Sequence, residues 1–382
     1  MSKHIGLYIH IPFCKSKCNY CDFNSYPQKE ALFAPYFDAL KKEILIRSEN
    51  MADFEIRTIF IGGGTPSVVD TEYIYGLLNI CRQNFNIARN AEISIESNPG
   101  TLSYEKLVSY KICGVNRLSI GLQAWQDKLL MEMGRIHNHS DFLENLKLAV
   151  KAGFENINVD LIFGLPGQTL EDWTETIINV MNLGITHVSC YSLKIEDDTV
   201  FGERLREGLL QEADDELDRE MYRFAVDKLL EYGFMHYEIS NFAKKSFECK
   251  HNLVYWNVEE YLGIGAGAHS YLENKRSNNK YGVEEYLNAV SNLHDFQQNV
   301  QIIGKAESMS EYLILGLRLI DGVSAGEFRS RYGEELFDIF GKQIAKHIKK
   351  QLLEQENDRI RLTRFGLDIA NEVFSDFICS TT

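Results

Sequence analysis

Cys14, Cys18 and Cys21 stand within eight residues, separated by three and then two positions. A loop that short can wrap three thiolates around one centre. Structural zinc takes four closed ligands and ordinary cluster ferredoxins spend four cysteines per cluster, so three thiolates leave one coordination position open. An open iron can chelate a substrate. The competing reading closes the set with His10 as a fourth ligand and makes the site zinc. Cys81, Cys113, Cys190, Cys249 and Cys379 are isolated and read as small buried hydrophobes.

Further polar residues fall where strands should end. Gly62-Gly63-Gly64-Thr65-Pro66 lets backbone approach a ligand closely. It lacks the GK[ST] of a phosphate loop and the GxGxxG of a dinucleotide fold, so alone it reads equally as a turn. Glu96, Gln123, Arg135 and Asp160 offer acceptors for ribose hydroxyls and a cation for a carboxylate. Each alone reads as a cap or a solvated loop residue. His251 alone reads first as a satisfied structural histidine, with Tyr255 on the same helical face at i+4.

Positioning these residues requires regular elements, and the sequence supplies them in alternation. GLYIHIPF precedes helix 32–49, RTIFIGG precedes 71–85, EISIESN precedes 103–112 and RLSIGLQ precedes 125–152. NINVDLIFGLP then precedes 170–183, and HVSCYSLKI precedes 214–232. Six nearly apolar strands, each followed by a helix, predict a parallel sheet covered by helices. Periodicity leaves an open sheet and a barrel as alternatives. The special residues all fall at one end of the strands, where barrel enzymes keep their sites, which favours a curved sheet. The pattern changes near residue 245. Helices are expected at 307–319 and 334–355, then a short strand, a turn at Gly366 and a closing helix.

The 382 residues suit one large domain and a smaller companion. A formal net charge of −15, with no basic stripe, argues against nucleic acid as a partner. No export signal is visible at the start and no apolar run is long enough to span a membrane, so the expected location is the cytoplasm. In that compartment eight cysteines are not a disulfide framework.

The triplet, with Tyr20 before its last cysteine, resembles the CxxxCxxC hallmark of the radical-SAM superfamily. The resemblance implies a 4Fe-4S cluster on Cys14, Cys18 and Cys21, with S-adenosyl-L-methionine on the open iron and cleaved there to a 5′-deoxyadenosyl radical. It implies an α/β fold: a partial (β/α)6 TIM-like barrel of parallel strands over 1–245. A smaller, mainly helical α+β C-terminal domain covers 246–382. EISIESNP, RLSIGLQ, GRIHN and NVDLIFGLPGQT resemble the coproporphyrinogen-III-oxidase-like branch. There Tyr8, Tyr20, Gly63, Gly64, Thr65, Glu96, Gln123, Arg135, Asp160 and Ser192 match cofactor-contacting positions, and His269 lies where the family lines its pocket. The oxidases carry a further cysteine where this chain has Phe23, and a long arm where it has 13 residues before Cys14.

CNYCDFNS and the HNxxYW segment His251–Trp256 resemble instead the HemW group of heme chaperones. That implies heme uptake near His251, whose imidazole would bind iron beside Tyr255 and Trp256, with Cys249 as an alternative ligand. It also implies delivery of heme to an acceptor protein such as a membrane-associated respiratory component, and a homodimer. Radical decarboxylation of coproporphyrinogen III is the rival reading, and whether the chain is an enzyme stays open. Radical modification of RNA fits neither the acidity nor the HNxxYW segment.

Overall fold

A computed structural model describes residues 3–292 and 296–378; Cys379 lies outside them. Six strands, β1 (Lys3–Ile11), β2 (Phe54–Gly63), β3 (Asn86–Ser97), β4 (Arg117–Gln123), β5 (Asn156–Phe163) and β6 (His187–Ser192), lie side by side in chain order and all parallel. They form the partial barrel. Helices α1 (Phe33–Ser48), α2 (Thr71–Asn84), α3 (Tyr104–Ile112), α4 (Asp127–Glu132), α5 (His139–Lys151) and α6 (Leu170–Met181) alternate with them, followed by α7 (Val200–Arg206) and α8 (Asp215–Glu231). Strand alternation divides the sheet into two faces. Ile5, Leu7, Ile9 and Ile11 of β1, with Ile59 and Ile61 of β2 and Leu118 and Ile120 of β4, join the core under the helices. Tyr8, Phe60, Glu96, Ser119 and Asp160 sit at the intervening positions and share the opposite, inner face.

The expected single helix over 125–152 is two. Gly134 adopts φ 71°, and Asn138 starts α5 through a capping box with Asp141. Thr169 and Asp172 box the start of α6 likewise, and the indole of Trp173 donates to the Met221 carbonyl at 2.8 Å, fixing α6 on α8.

The sheet does not end near residue 245. After β7 (Met235–Glu238), β8 (Asn241–Ala243) and α9 (Lys250–Trp256), strand β9 (Tyr261–Ile264) returns to lie parallel against β1, pairing Tyr8 with Gly263. β10 (His269–Leu272), β11 (Lys275–Asn279) and β12 (Gln297–Ile302) extend that edge antiparallel, while β8 and β7 extend the other. Helix α10 (Val283–Ser291) sends Tyr286 to the fully buried Glu43 of α1, which also accepts from Gly265 N and Asn279 Nδ2.

A second core gathers α11 (Lys305–Gly316), β13 (Val323–Ser324), α12 (Ala325–Tyr332), α13 (Leu336–Lys349), β14 (Leu353–Glu356), β15 (Arg359–Leu362), α14 (Arg364–Asp368) and α15 (Ala370–Ser375) around Leu313, Phe328, Leu336 and Ile360. The helix expected to reach 355 stops at Lys349 and yields to β14. Gly366, expected in a turn, lies inside α14, capped by Thr363; a Cβ there would meet the Leu352 carbonyl at 2.0 Å.

Candidate active site at the carboxyl end of the barrel

The cysteine loop leaves β1 and is tethered at two asparagines. Asn19 donates from its backbone to Met133 O at 2.9 Å and from its amide to Glu132 O at 2.8 Å, and its carbonyl accepts from Phe201 N at 2.8 Å. Asn24 donates to Ala266 O at 3.1 Å and Tyr281 O at 2.9 Å. Donors reach two sulfurs: Thr65 Oγ1 to Cys14 and Arg135 Nη1 to Cys18, both at 3.5 Å. Such donors stabilise sulfur carrying negative charge. Burial raises the thiols of Cys14 and Cys21.

His10 is no fourth ligand. Its Nε2 donates to Asn24 O at 2.8 Å, leaving Nδ1 to accept from Tyr8 OH at 2.9 Å. Among the described residues no group of three or more His, Cys, Asp or Glu converges on a single-ion site.

Glycines open the floor beside the loop. A Cβ on Gly64 would meet Phe13 O at 2.7 Å and Cys14 Sγ at 3.0 Å, and Gly63 takes φ 116° while its N–H donates to Glu96 Oε2 at 3.0 Å. Burial first, then the charge of Asp160, pushes the Glu96 carboxyl up to about 8. Asp160 accepts from Ser119 Oγ at 2.8 Å and Asn158 Nδ2 at 2.9 Å. Arg135 donates to Gly121 O at 2.6 Å and Asn98 Oδ1 at 2.7 Å, and Asn98 donates in turn to Thr65 Oγ1 at 2.8 Å. Gln123 ends β4 with φ 73°, and Tyr20 packs against the small apolar cluster that includes Leu129, Leu130 and Phe201. Ser192 is the exception: its hydroxyl donates to Asp218 of α8 at 2.7 Å, on the helical side of the sheet.

Helix α9 closes the other end of the barrel. The Glu92 carboxylate accepts from Lys250 N at 3.3 Å and His251 N at 3.2 Å. His251 is 1% exposed, with Nδ1 bonded to Thr58 Oγ1 at 2.8 Å and Nε2 to Tyr255 OH at 2.9 Å. Burial first, then Arg117, lowers its pKa to about 3. Both ring nitrogens are hydrogen-bonded here, and the ring lies at the opposite end of the barrel from the cysteines. Cys249 is fully buried, its thiol pushed up to about 12. His269 stands at the start of β10, paired with Asn278.

Sequence reasoning missed Asn98, Ser119, Asn158 and the Tyr8–His10–Asn24 chain. A signal existed. Strand β4, read as nearly apolar, alternates Leu118, Ile120 and Leu122 with Arg117, Ser119, Gly121 and Gln123, and this second set of polar and glycine positions faces inward.

Known proteins share this sequence and this fold. Residues 8–178 match the Radical SAM superfamily and 303–369 the HemN C-terminal domain. The heme chaperone HemW of Bacillus subtilis is 38% identical over 97% of this chain and 98% of its own, and that of Escherichia coli 33% identical over 98% of each. The solved coproporphyrinogen III oxidase HemN of Escherichia coli, a radical SAM enzyme, superposes with a TM-score of 0.87 at 23% identity, covering 98% of this chain and 90% of that one. The chain therefore belongs to the radical SAM superfamily and, within its HemN-like branch, to the HemW family.

Proposed function

We propose that the protein is a cytoplasmic heme chaperone that takes up heme and delivers it to an acceptor protein. In this reading Cys14, Cys18 and Cys21 hold a 4Fe-4S cluster whose fourth iron is left to S-adenosylmethionine. Three half-buried thiols with donors on two of them, and a neighbouring histidine already engaged, fit that ligand set. Bound there, the cluster would supply an electron to the sulfonium. The protein's own groups hold the nucleoside. Arg135 offers a cation for its carboxylate, Gly63 and Gly64 give backbone access, and Glu96 and Asp160 offer acceptors for hydroxyls. Gln123 and Tyr20 border the same space.

The carrying observation is the relationship to proteins named heme chaperones across nearly the whole chain. Phe23, 64% exposed where the oxidases place a further cysteine, supports carriage over decarboxylation. No described helix is long and apolar enough to cross a membrane, so an acceptor in a membrane would be met from the surface. The residues that would hold the cluster and the nucleoside all lie within 1–245, on a sheet that residues 261–302 complete, and in this reading the protein pairs as a homodimer.

The test is one anaerobically reconstituted preparation titrated with hemin, then mixed with an apo-acceptor, with porphyrin products assayed in parallel. Saturable heme binding and transfer without protoporphyrinogen formation is expected. Absence of any saturable heme absorbance change overturns the reading, and protoporphyrinogen formation would establish the oxidase.

A further inference from the structure

A line of hydrogen bonds runs through the barrel from Asp160 to the first turn of α9. The Asp160 carboxylate accepts from Asn158 Nδ2 at 2.9 Å, so the amide oxygen of Asn158 faces the other way, where it meets His187 Nδ1 at 2.6 Å and Ser189 Oγ at 3.2 Å. His187 Nε2 meets Tyr237 OH at 2.8 Å. The Tyr237 oxygen accepts in turn from the backbone N–H of Cys249, the residue that starts α9, at 3.3 Å. Strands β5, β6 and β7 and helix α9 each give one link.

The direction of every bond in the line is fixed. A carboxylate only accepts, which orients the Asn158 amide and, through it, the imidazole tautomer. Burial, then Arg117, holds His187 well below the usual histidine range, so its ring is neutral, with one donor and one acceptor. Nδ1–H therefore donates to Asn158, Nε2 accepts from Tyr237 OH, and the tyrosine oxygen is left to accept from Cys249. All four bonds point toward Asp160. Bonds aligned in this way polarise one another, so a change in acceptor strength at one end is felt at the other. Arg117, buried with its Nε unpartnered, lies within electrostatic reach of both ends, Glu92 beside α9 and Asp160.

The far end has the character of a latch. With α9 in place both nitrogens of His251 are taken, by Thr58 and Tyr255, so the imidazole meets a ligand only after the helix shifts. Its first turn is held by Tyr237 at Cys249 N and by Glu92 at Lys250 N and His251 N. A ribose hydroxyl donating to Asp160 would draw on the charge that now holds Asn158. We infer that His187 and Tyr237 are positioning residues that report occupancy of Asp160 to α9: a nucleoside there weakens the line, loosens Cys249 from Tyr237 and releases the helix that carries His251. This coupling rests on the heme-chaperone reading for what α9 receives, and adds how the nucleoside site governs it. By linkage, a ligand that favours the released helix tightens the nucleoside by the same factor.

The test follows amide exchange at residues 249–257 in the full-length, anaerobically reconstituted protein, without hemin, in the absence and presence of S-adenosylmethionine whose binding is counted by dialysis. The nucleoside is expected to speed exchange there by about fivefold or more, the scale of coupling between sites, and to tighten hemin in a separate titration. Tyr237→Phe and His187→Leu each cut the line. In both, α9 should exchange fast without the nucleoside and lose its response, and the double variant should match the singles, since one line is broken either way. Thr58→Val loosens His251 from outside the line, so α9 should exchange faster and keep its full response. A folded Tyr237→Phe protein that behaves like Thr58→Val, loosened but still responsive, overturns the assignment. So does an α9 in the unsubstituted protein that the nucleoside leaves unmoved, and that measurement decides even where the variants fail to fold. A response at α9 without saturable hemin binding upholds the line and rejects the chaperone reading; hemin binding without any response does the reverse.

Discussion

Glu96 sits where electrostatics and ligand recognition meet. Its carboxyl is pushed up to about 8 by burial and then by Asp160, so the folded protein binds a proton there that the unfolded chain releases near pH 4.5. The folded state binds more protons across that window. Its contribution is therefore full below about 4.5 and is lost as pH rises through about 8. Glu96→Gln should flatten the fall in apo-protein stability between pH 6 and 8.5 and leave the variant more stable at pH 8.5, by on the order of 2 kcal/mol. Melting curves across that range check it, and an unchanged pH slope counts against it. Asn98 holds a different kind of position, bridging Thr65 to Arg135, each of which donates to a cysteine sulfur. Asn98→Ala should cost about 1–3 kcal/mol through two unmade bonds and lower the iron retained after reconstitution. The cysteines were legible because their types and spacing carry chemistry in themselves, whereas the glycines and Arg135 were singled out only by the resemblance of their surroundings to a known family. Asn98 was not, because an asparagine after a strand is usually a turn residue.

Among the elements, those built on simple periodicity were the legible ones. The six parallel strands and the helices after them have apolar stripes that only burial explains, and the expected bounds of α2 and α3 fall within about one residue of the observed ones. Breaks inside a helical pattern were harder to see. The stretch 125–152 keeps its apolar spacing through Gly134, and what splits it is tertiary: Asn19 of the cysteine loop docks on the carbonyls at the end of α4, and Gly134 turns away at φ 71°. A Cβ at Gly134 would stand 2.9 Å from Asn19 Oδ1. Gly134→Ala should therefore lose more than about 1 kcal/mol from the left-handed backbone alone. It should also loosen the loop, measured as faster loss of the iron–sulfur absorbance on dilution. A cluster as durable as in the unsubstituted protein would show that Asn19 does not hold the loop. Helix α9 was read as a ligand-bearing segment, and its place as a plug depended on Glu92 and Thr58, more than 150 positions away in sequence.

At the scale of the molecule, the change in composition near residue 245 and the continuity of the sheet do not coincide. The sequence shifts to aromatic and Gly-rich character there, yet β9 pairs with β1 in the middle of the twelve-stranded sheet. Long-range strand order of this kind leaves no local mark, since the pleat of β9 would suit either edge. The consequence is a sharp difference between two truncations. A chain of residues 1–245 loses Leu262, Ile264 and Tyr286 from the main core and leaves β1 as an unpaired edge. It also strips the buried Glu43 of Gly265 N, Asn279 Nδ2 and Tyr286 OH, retaining only Arg47 at 3.8 Å, and opens that part of the core to water. The cysteine loop loses both acceptors of Asn24 in the same cut. That fragment should be insoluble or unable to hold iron. A chain ending at 304 keeps every strand of the sheet and gives up only the second core. It should retain a cooperative melt and the iron–sulfur absorbance at reduced stability. Cooperative unfolding of the 1–245 fragment, followed by circular dichroism, would mean that β1 tolerates an open edge and that the barrel is an independent unit.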